Sequence, residues 1–216
     1  MREVVSKVYQ FDELSDTAKD TAREWYRRAS DGDNYFAESV IEDAATIADI
    51  IGINLRQRPV KLMNGSTRYA PEVWWEGFSH QGQGASYSGT YAYAKGAVKK
   101  LAVHAPTGEG KDFAHNNEVN RIARDLADVQ RRNFYALTAS VSATHRGHWL
   151  VVDVERTDDN PMTSDAIDTV SSALRDFADW IYRNLETEYE YQNSDEQIDE
   201  TMRANEYEFT EDGKRA

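Results

Sequence analysis

Two neighbouring segments whose β-forming residues alternate between faces limit the fold more than any other feature of the chain. They cover Phe134 to Thr144 and Trp149 to Arg156, and Arg146-Gly147 between them fits a two-residue turn. This pattern predicts an antiparallel hairpin. Because it is the longest β-pattern in the chain, we expect the hairpin to form the centre of a sheet.

Helical periodicity predicts four long helices beside this hairpin. Four segments carry apolar residues at spacings of three and four: residues 16–29, 35–51, 113–132 and 164–189. Ser15 is the expected N-cap of the first helix, and Gly52 is expected to end the second. Shorter helices are predicted near residues 94–103 and 195–204.

The remaining β-patterns indicate the fold class. They cover residues 3–11, a segment at 53–63 interrupted by Pro59, a hairpin within 71–93, and 207–209. Because short turns join consecutive strands, we expect a mostly antiparallel sheet with helices mainly on one face, an α+β fold. The 216 residues contain no repeat and no low-complexity linker, so a single domain over 1–216 is predicted.

Missing residue types and patterns exclude several classes of protein. The chain has no cysteine, so disulfides, thiolate metal sites and cysteine nucleophiles are ruled out. No apolar run approaches the roughly 20 residues that span a bilayer, and residues 1–5 lack the start of a signal peptide. We therefore expect a soluble, cytoplasmic protein with no membrane partner.

The net charge of −13 is concentrated near the C-terminus. Residues 151–216 hold 19 Asp and Glu against six Lys and Arg, which leaves residues 1–150 electrically balanced. This acidic C-terminal region would repel phosphates, which disfavours a nucleic-acid partner without excluding one. It is typical either of a surface that binds a basic partner or imitates nucleic acid, or of a solvated face. The carboxylates predicted to bind a partner are Glu186, Glu190, Glu196 and Glu200.

Aromatic side chains cluster on the predicted hairpin within residues 71–93. Trp74 and Trp75 lie on opposite faces of a strand because side chains alternate, and Phe78 and Tyr87 lie nearby. Exposed aromatic residues anchor many interfaces, so these four are candidate partner-binding residues. A core layer is the competing interpretation. Base stacking is another, although it usually comes with a basic groove.

The turn of that hairpin is rich in glycine. Its sequence, Gln81-Gly82-Gln83-Gly84, can aim backbone N–H groups at an anion or simply form a tight turn. It lacks the lysine of a phosphate-binding loop. In a third interpretation Gln81 and Gln83 belong to a protein-recognition loop beside the aromatic residues.

No segment carries a recognisable catalytic motif. His145 and His148 flank the predicted turn at Arg146-Gly147, but two ligands are too few for a zinc site. The chain has no Ser–His–Asp arrangement, HExxH sequence or Walker pattern. A non-enzymatic role without a cofactor or metal is therefore favoured, while an enzymatic one stays open.

Residues 9–27, 78–89 and 203–213 carry a resemblance to known proteins. These three segments are similar to a widespread family of small bacteriophage proteins of unknown activity, some of them labelled antitoxin of a toxin–antitoxin stability system. Members usually carry Asp at the position of Gln83. The resemblance implies a phage origin and a role in host takeover or in evasion of host defence, and it brings no catalytic residues.

Together these observations predict a phage protein that binds and modulates or inhibits a host protein in the host cytoplasm. The predicted partner has a basic surface, and the activity would be anti-defence, such as anti-restriction or anti-CRISPR, or antitoxin-like. The alternative is a nucleotide- or nucleic-acid-binding protein or enzyme that uses the glycine-rich aromatic hairpin.

Overall fold

The protein combines α-helices with short antiparallel sheets. The structure is a computed structural model that describes residues 7–30, 32, 34–105, 111–144 and 149–216. The helices are α1 Asp16–Ala29, α2 Tyr35–Ile51, α3 Ala97–His104, α4 Lys111–Arg132, α5 Ser164–Gln192 and α6 Asp195–Ala204. The strands are β1 Tyr9–Gln10, β2 Ile53–Leu55, β3 Gln57–Lys61, β4 Thr67–Pro71, β5 Val73–Trp75, β6 Ala85–Tyr87, β7 Gly89–Ala92, β8 Leu137–Ala143, β9 Leu150–Arg156 and β10 Glu208–Phe209. The α+β prediction is confirmed.

The helices begin and end close to where the capping residues predict. The hydroxyl of Ser15 accepts a hydrogen bond from the N–H of Ala18, which caps α1. Gly52 follows α2 with a φ of +91°, a conformation that glycine adopts without strain. The helix predicted at 164–189 extends three residues further, to Gln192, and Ser194 then caps α6.

A four-stranded antiparallel sheet in the order β2-β7-β8-β9 carries the predicted hairpin. Ile53, Tyr91, Ala139 and Val154 lie side by side across it and are buried, whereas the residues between them along each strand are largely exposed. Helices therefore cover one face, as predicted. The hairpin is not the centre of the sheet, because β9 is an edge strand. Its predicted turn, with His145 and His148, lies outside the described residues.

Three chain segments exchange pairing partners at a junction beside this sheet. Arg56, Glu72 and Ser88 each separate two strands. The N–H of Arg56 donates to the carbonyl of Ser88, that of Ser88 to Glu72 and that of Glu72 to Arg56, over 2.7, 3.2 and 2.7 Å. The pairs β2–β7, β3–β4 and β5–β6 diverge from this ring of bonds.

Several strands differ from those that the sequence predicted. The segment predicted at 53–63 is two strands, and β4 at Thr67–Pro71 was not predicted because its residues show no β-pattern. The hairpin predicted within 71–93 keeps only β5 and β6, since β7 pairs in the larger sheet. The strand predicted at 3–11 is reduced, in the described part, to Tyr9–Gln10. A short 3₁₀-helix, Phe11–Glu13, follows it.

The chain forms two compact units. The first, called the terminal unit, contains residues 1–37 and 187–216, and the second, the central unit, contains residues 38–186. In the terminal unit, α1 packs against α6 around Phe11, Met202 and Phe209, whereas the sequence predicted that α1 packs on a sheet with the other long helices. The single domain over 1–216 stays a prediction. Within the described ranges, no helix is long and apolar enough to cross a bilayer.

Candidate partner-binding surfaces

The predicted aromatic cluster is only partly accessible. Trp74 is 44% exposed, and the guanidinium of Arg58 lies 4.8 Å from the centre of its ring. Trp75 is half-buried on the opposite face of β5, as alternation predicts. Trp74 is therefore the member of the cluster that a partner can reach most easily.

Tyr87 was predicted to contact a partner, and this prediction is wrong. Its side chain is fully buried, and its hydroxyl donates a 3.1 Å hydrogen bond to the carbonyl of Leu174. Its ring also packs edge-on against Phe177, 5.6 Å between centres. Burial strongly raises the pKa of Tyr87. The residue therefore attaches β6 to α5 as part of the core.

Phe78 is also engaged within the central unit. It is half-buried, and its ring centre lies 5.4 Å from that of Tyr182 on α5. The hydroxyl of Tyr182 donates to the carbonyl of Gly77 over 3.1 Å. These contacts hold the segment between β5 and the glycine-rich turn against α5.

The glycine-rich loop is closed by Gln83. Its side-chain oxygen accepts hydrogen bonds from the N–H groups of Ser79 and His80, both at 2.8 Å. These two N–H groups lie just before the glycine-rich turn and are therefore not available to an anion. Gln83 therefore acts as an internal brace, whereas Gln81 is exposed.

The acidic surface of the terminal unit contains two kinds of carboxylate. Arg23 binds Asp199 through two hydrogen bonds of 2.7 Å, and Arg27 pairs with Asp195. Accordingly, hydrogen bonding to Asp199 raises the pKa of Arg23. Within the described residues, Glu196 and Glu200 have no cation within 4.0 Å, and both are exposed. Glu190 on α5 is exposed in the same way.

The acidic residues of the central unit are more often paired. Asp176 on α5 binds Arg121 on α4 at 2.8 Å, and Asp165 lies 3.5 Å from Arg132. Glu186, one of the four predicted partner-binding carboxylates, is half-buried. The structure therefore brings Glu196 and Glu200 together on one helix, and it does not expose all four predicted carboxylates equally.

An exposed aromatic pair between α4 and β8 was missed by sequence reasoning. Phe134 is 81% exposed and Tyr135 is 50% exposed, and their φ angles are +56° and +62°. Tyr135 packs on Tyr93, with 4.4 Å between ring centres. In the sequence, both residues looked like the start of a strand, and no glycine marks the left-handed turn.

A cavity of about 200 Å³ lies beside Tyr93. Its walls come from the end of α2, from β7 and the segment after it, from α3 and from α4. The lining is mainly apolar and includes Ile51, Val98 and Leu126, and among the described residues Lys99 is the one lining residue with a charged side chain.

The described parts of the chain contain no group of three His, Cys, Asp or Glu that could hold a metal ion. A sequence model of a family described as a domain of unknown function (DUF8835) matches residues 36–195. This segment includes the cavity and the aromatic hairpin, and it ends at the first residue of α6. No curated protein and no solved structure matches the chain.

Proposed function

The chain belongs to the DUF8835 family, for which no function is described, and we propose that it is a non-enzymatic protein that binds a partner with a basic surface. The binding residues are exposed carboxylates of the C-terminal region, chiefly Glu196 and Glu200. Binding modulates or inhibits the partner.

The proposal depends on a difference between two pairs of carboxylates on α6: one pair forms ion pairs with arginines, and the other does not. Asp195 and Asp199 are one helical turn apart and pair with arginines of α1, which fixes α6 in the terminal unit. Glu196 and Glu200 have the same spacing, but they are exposed and unpaired among the described residues. Like charges at this spacing cost a helix a few tenths of a kcal/mol. Glu196 lies in the first turn of α6, where a negative charge is favourable, and Glu200 acts on the charge of Arg203, so these effects offset part of that cost. No ion pair within 4.0 Å among the described residues uses either carboxylate.

The charge of the terminal unit supports the same function. The sequence places 18 Asp and Glu against nine Lys and Arg there, a net charge of −9 in 67 residues. The central unit has a net charge of −4 in 149 residues. A field of this density speeds the association of a basic protein and repels phosphates. Such a surface could imitate nucleic acid and thereby bind in the nucleic-acid site of its partner protein.

The resemblance to small bacteriophage proteins supports a host protein as the partner. Under this proposal, the protein acts in the host cytoplasm, in an anti-defence or antitoxin-like role. The bonds from the N–H groups of Ser79 and His80 to Gln83 leave two fewer donors for a phosphate beside the glycine-rich turn, which supports binding over nucleotide chemistry there.

A capture experiment with two charge-matched variants tests the proposal. The tagged wild type, Glu196→Gln/Glu200→Gln and Asp153→Asn/Asp168→Asn are incubated with host lysate at about 50 mM and about 500 mM salt. Asp153 and Asp168 are exposed and unpaired among the described residues, and they lie in the central unit. Both variants lose two negative charges, so they differ only in where the charge is removed.

We expect the wild type and the Asp153/Asp168 variant to retain the same host protein at low salt and to lose it at high salt. The Glu196/Glu200 variant should retain clearly less of it while remaining folded, as a cooperative thermal transition shows. Equal retention by both variants would contradict the role of α6. Co-purified nucleic acid or nucleotide would favour the alternative function.

A further inference from the structure

The cavity beside Tyr93 lies in the central unit and is independent of the acidic surface on α6. We infer that it binds a small carboxylate whose apolar part is about the size of one aromatic ring. The apolar part enters the cavity, and the carboxylate pairs with the ammonium group of Lys99 at its edge.

The size and lining of the cavity determine the apolar part of the ligand. Cavities of roughly 150 Å³ with apolar walls bind benzene, so a volume of about 200 Å³ accommodates one ring and a short chain. Ile51, Val98, Leu126 and alanines of α3 and α4 form most of the wall. The hydroxyl of Tyr91, which also lines the cavity, is already bonded to Gln130 at 3.2 Å. Burial of Tyr91 raises its pKa to about 12, so it stays neutral.

The charges around the cavity determine the polar part. Lys99 lines the cavity and has no carboxylate within 4.0 Å among the described residues. The sequence has no Asp or Glu from Gly77 to Gly108, and this segment includes the neighbouring Lys95 and Lys100. A carboxylate held here therefore meets an unpaired cation. The N-terminal end of α3, beginning at Ala97, adds a partial positive charge on the same side.

A tyrosine pair lies at the side of the cavity. Tyr93 lines the cavity and packs on Tyr135, with 4.4 Å between ring centres. The N–H of Tyr135 donates to the carbonyl of Gln130 over 2.7 Å, which holds the backbone of Tyr135 at the end of α4. Tyr93 therefore offers an aromatic face to a ligand ring.

Three probes of the same shape and different charge test the inference. Isothermal titration calorimetry compares 3-phenylpropionate, 3-phenylpropan-1-ol and 3-phenylpropylamine on the wild type, Lys99→Gln and Lys100→Gln. Lys100 is the matched control, since it is exposed, follows Lys99 on α3 and does not line the cavity. Backbone amide shifts in the wild type locate the bound probe without any substitution.

We expect the carboxylate to bind about five- to tenfold more tightly than the alcohol, as a charge-assisted hydrogen bond does, and the amine to bind most weakly. Lys99→Gln should reduce carboxylate affinity to that of the alcohol and leave the alcohol unchanged, which shows that the cavity is intact. Lys100→Gln should change neither. Saturable amide shifts should appear at Ala94, Val98 and Ala127.

Equal affinity for the three probes would overturn the carboxylate preference, as would equal effects of the two lysine substitutions. The absence of saturable shifts at the lining residues would overturn the binding site itself. Because neither readout involves a protein partner, failure here is distinguishable from failure of the proposed function.

Discussion

Phe134 occupies a backbone position that glycine usually fills. The N–H of Tyr135 bonds to the carbonyl of Gln130, the pattern that closes a helix with one left-handed residue in between. Phe134 is that residue, with a φ of +56°. A left-handed conformation costs a residue with a side chain about 1–2 kcal/mol. Because the ring is 81% exposed, burial of the side chain does not repay this strain.

Two substitutions of Phe134 distinguish the effect of the backbone strain from the effect of losing the aromatic ring. Phe134→Gly should unfold at higher urea concentration than Phe134→Ala, with a difference of about 1 kcal/mol, because both lack the ring and only glycine relieves the backbone strain. Equilibrium urea denaturation measures both variants. A Phe134→Ala variant at least as stable as Phe134→Gly would show that this turn is not strained.

Single residues also show what the sequence could and could not reveal. Strand alternation correctly placed Trp74 and Trp75 on opposite faces of β5. It could not predict that Tyr87 is buried, because that depends on α5, whose Leu174 lies 87 positions away in the sequence. Nor does any local pattern show that Phe134 and Tyr135 would turn left-handed without a glycine.

Helices and strands differed in how far they could be predicted. The helices follow from local signals, such as the apolar stripe and the capping residues Ser15 and Ser194. The junction at Arg56, Glu72 and Ser88 has no local signal, because each segment pairs with two partners distant in sequence. Strand pairing on the two sides of such a point is decided by packing.

Close backbone approach at the junction makes Gly89 essential there. A Cβ atom at Gly89 would lie 2.3 Å from the carbonyl oxygen of Asn54 on the paired strand β2. Gly89→Ala should therefore lower the free energy of unfolding by about 1–3 kcal/mol, since the backbone must move. Gly65→Ala is the control, because a Cβ there meets nothing within 4 Å and adds only the strain of a φ of +81°. Thermal denaturation compares the two, and a smaller loss at Gly89 would contradict the close approach.

The end of β9 is held by an ion pair whose effect depends on pH. Arg156 binds both carboxylate oxygens of Asp158, at 2.6 and 2.8 Å, and also the side chain of Asn133 after α4. Hydrogen bonds from Arg156 and Asn160 hold the pKa of Asp158 well below its usual range. The pair therefore stabilises the fold above about pH 4, and this contribution is lost as pH falls through the lowered pKa.

Asp158→Asn tests this pH dependence. The variant should melt below the wild type at pH 7, and the difference between their midpoints should shrink between about pH 4 and pH 2, because the unfolded wild type then binds a proton at Asp158 that the folded protein, with its lowered pKa, does not. Calorimetry across this range gives both midpoints. A difference that stays constant with pH would show that the charge of Asp158 does not contribute.

The uneven charge of the whole chain predicts how its stability responds to salt. A net charge of −13, of which −9 lies in the terminal unit, repels itself in the folded state, and salt screens this repulsion. Ion pairs such as Arg23–Asp199 oppose this effect, but the side chains of this pair are only 18% and 14% exposed, so screening weakens it less. The thermal midpoint should therefore rise between about 10 mM and about 500 mM NaCl.

Glu196→Gln/Glu200→Gln should show a smaller rise than Asp153→Asn/Asp168→Asn, because it removes repulsion where the charge is densest. A midpoint that falls with salt would mean that ion pairs outweigh repulsion, and equal slopes for the two variants would mean that the charge of the terminal unit is not concentrated around α6.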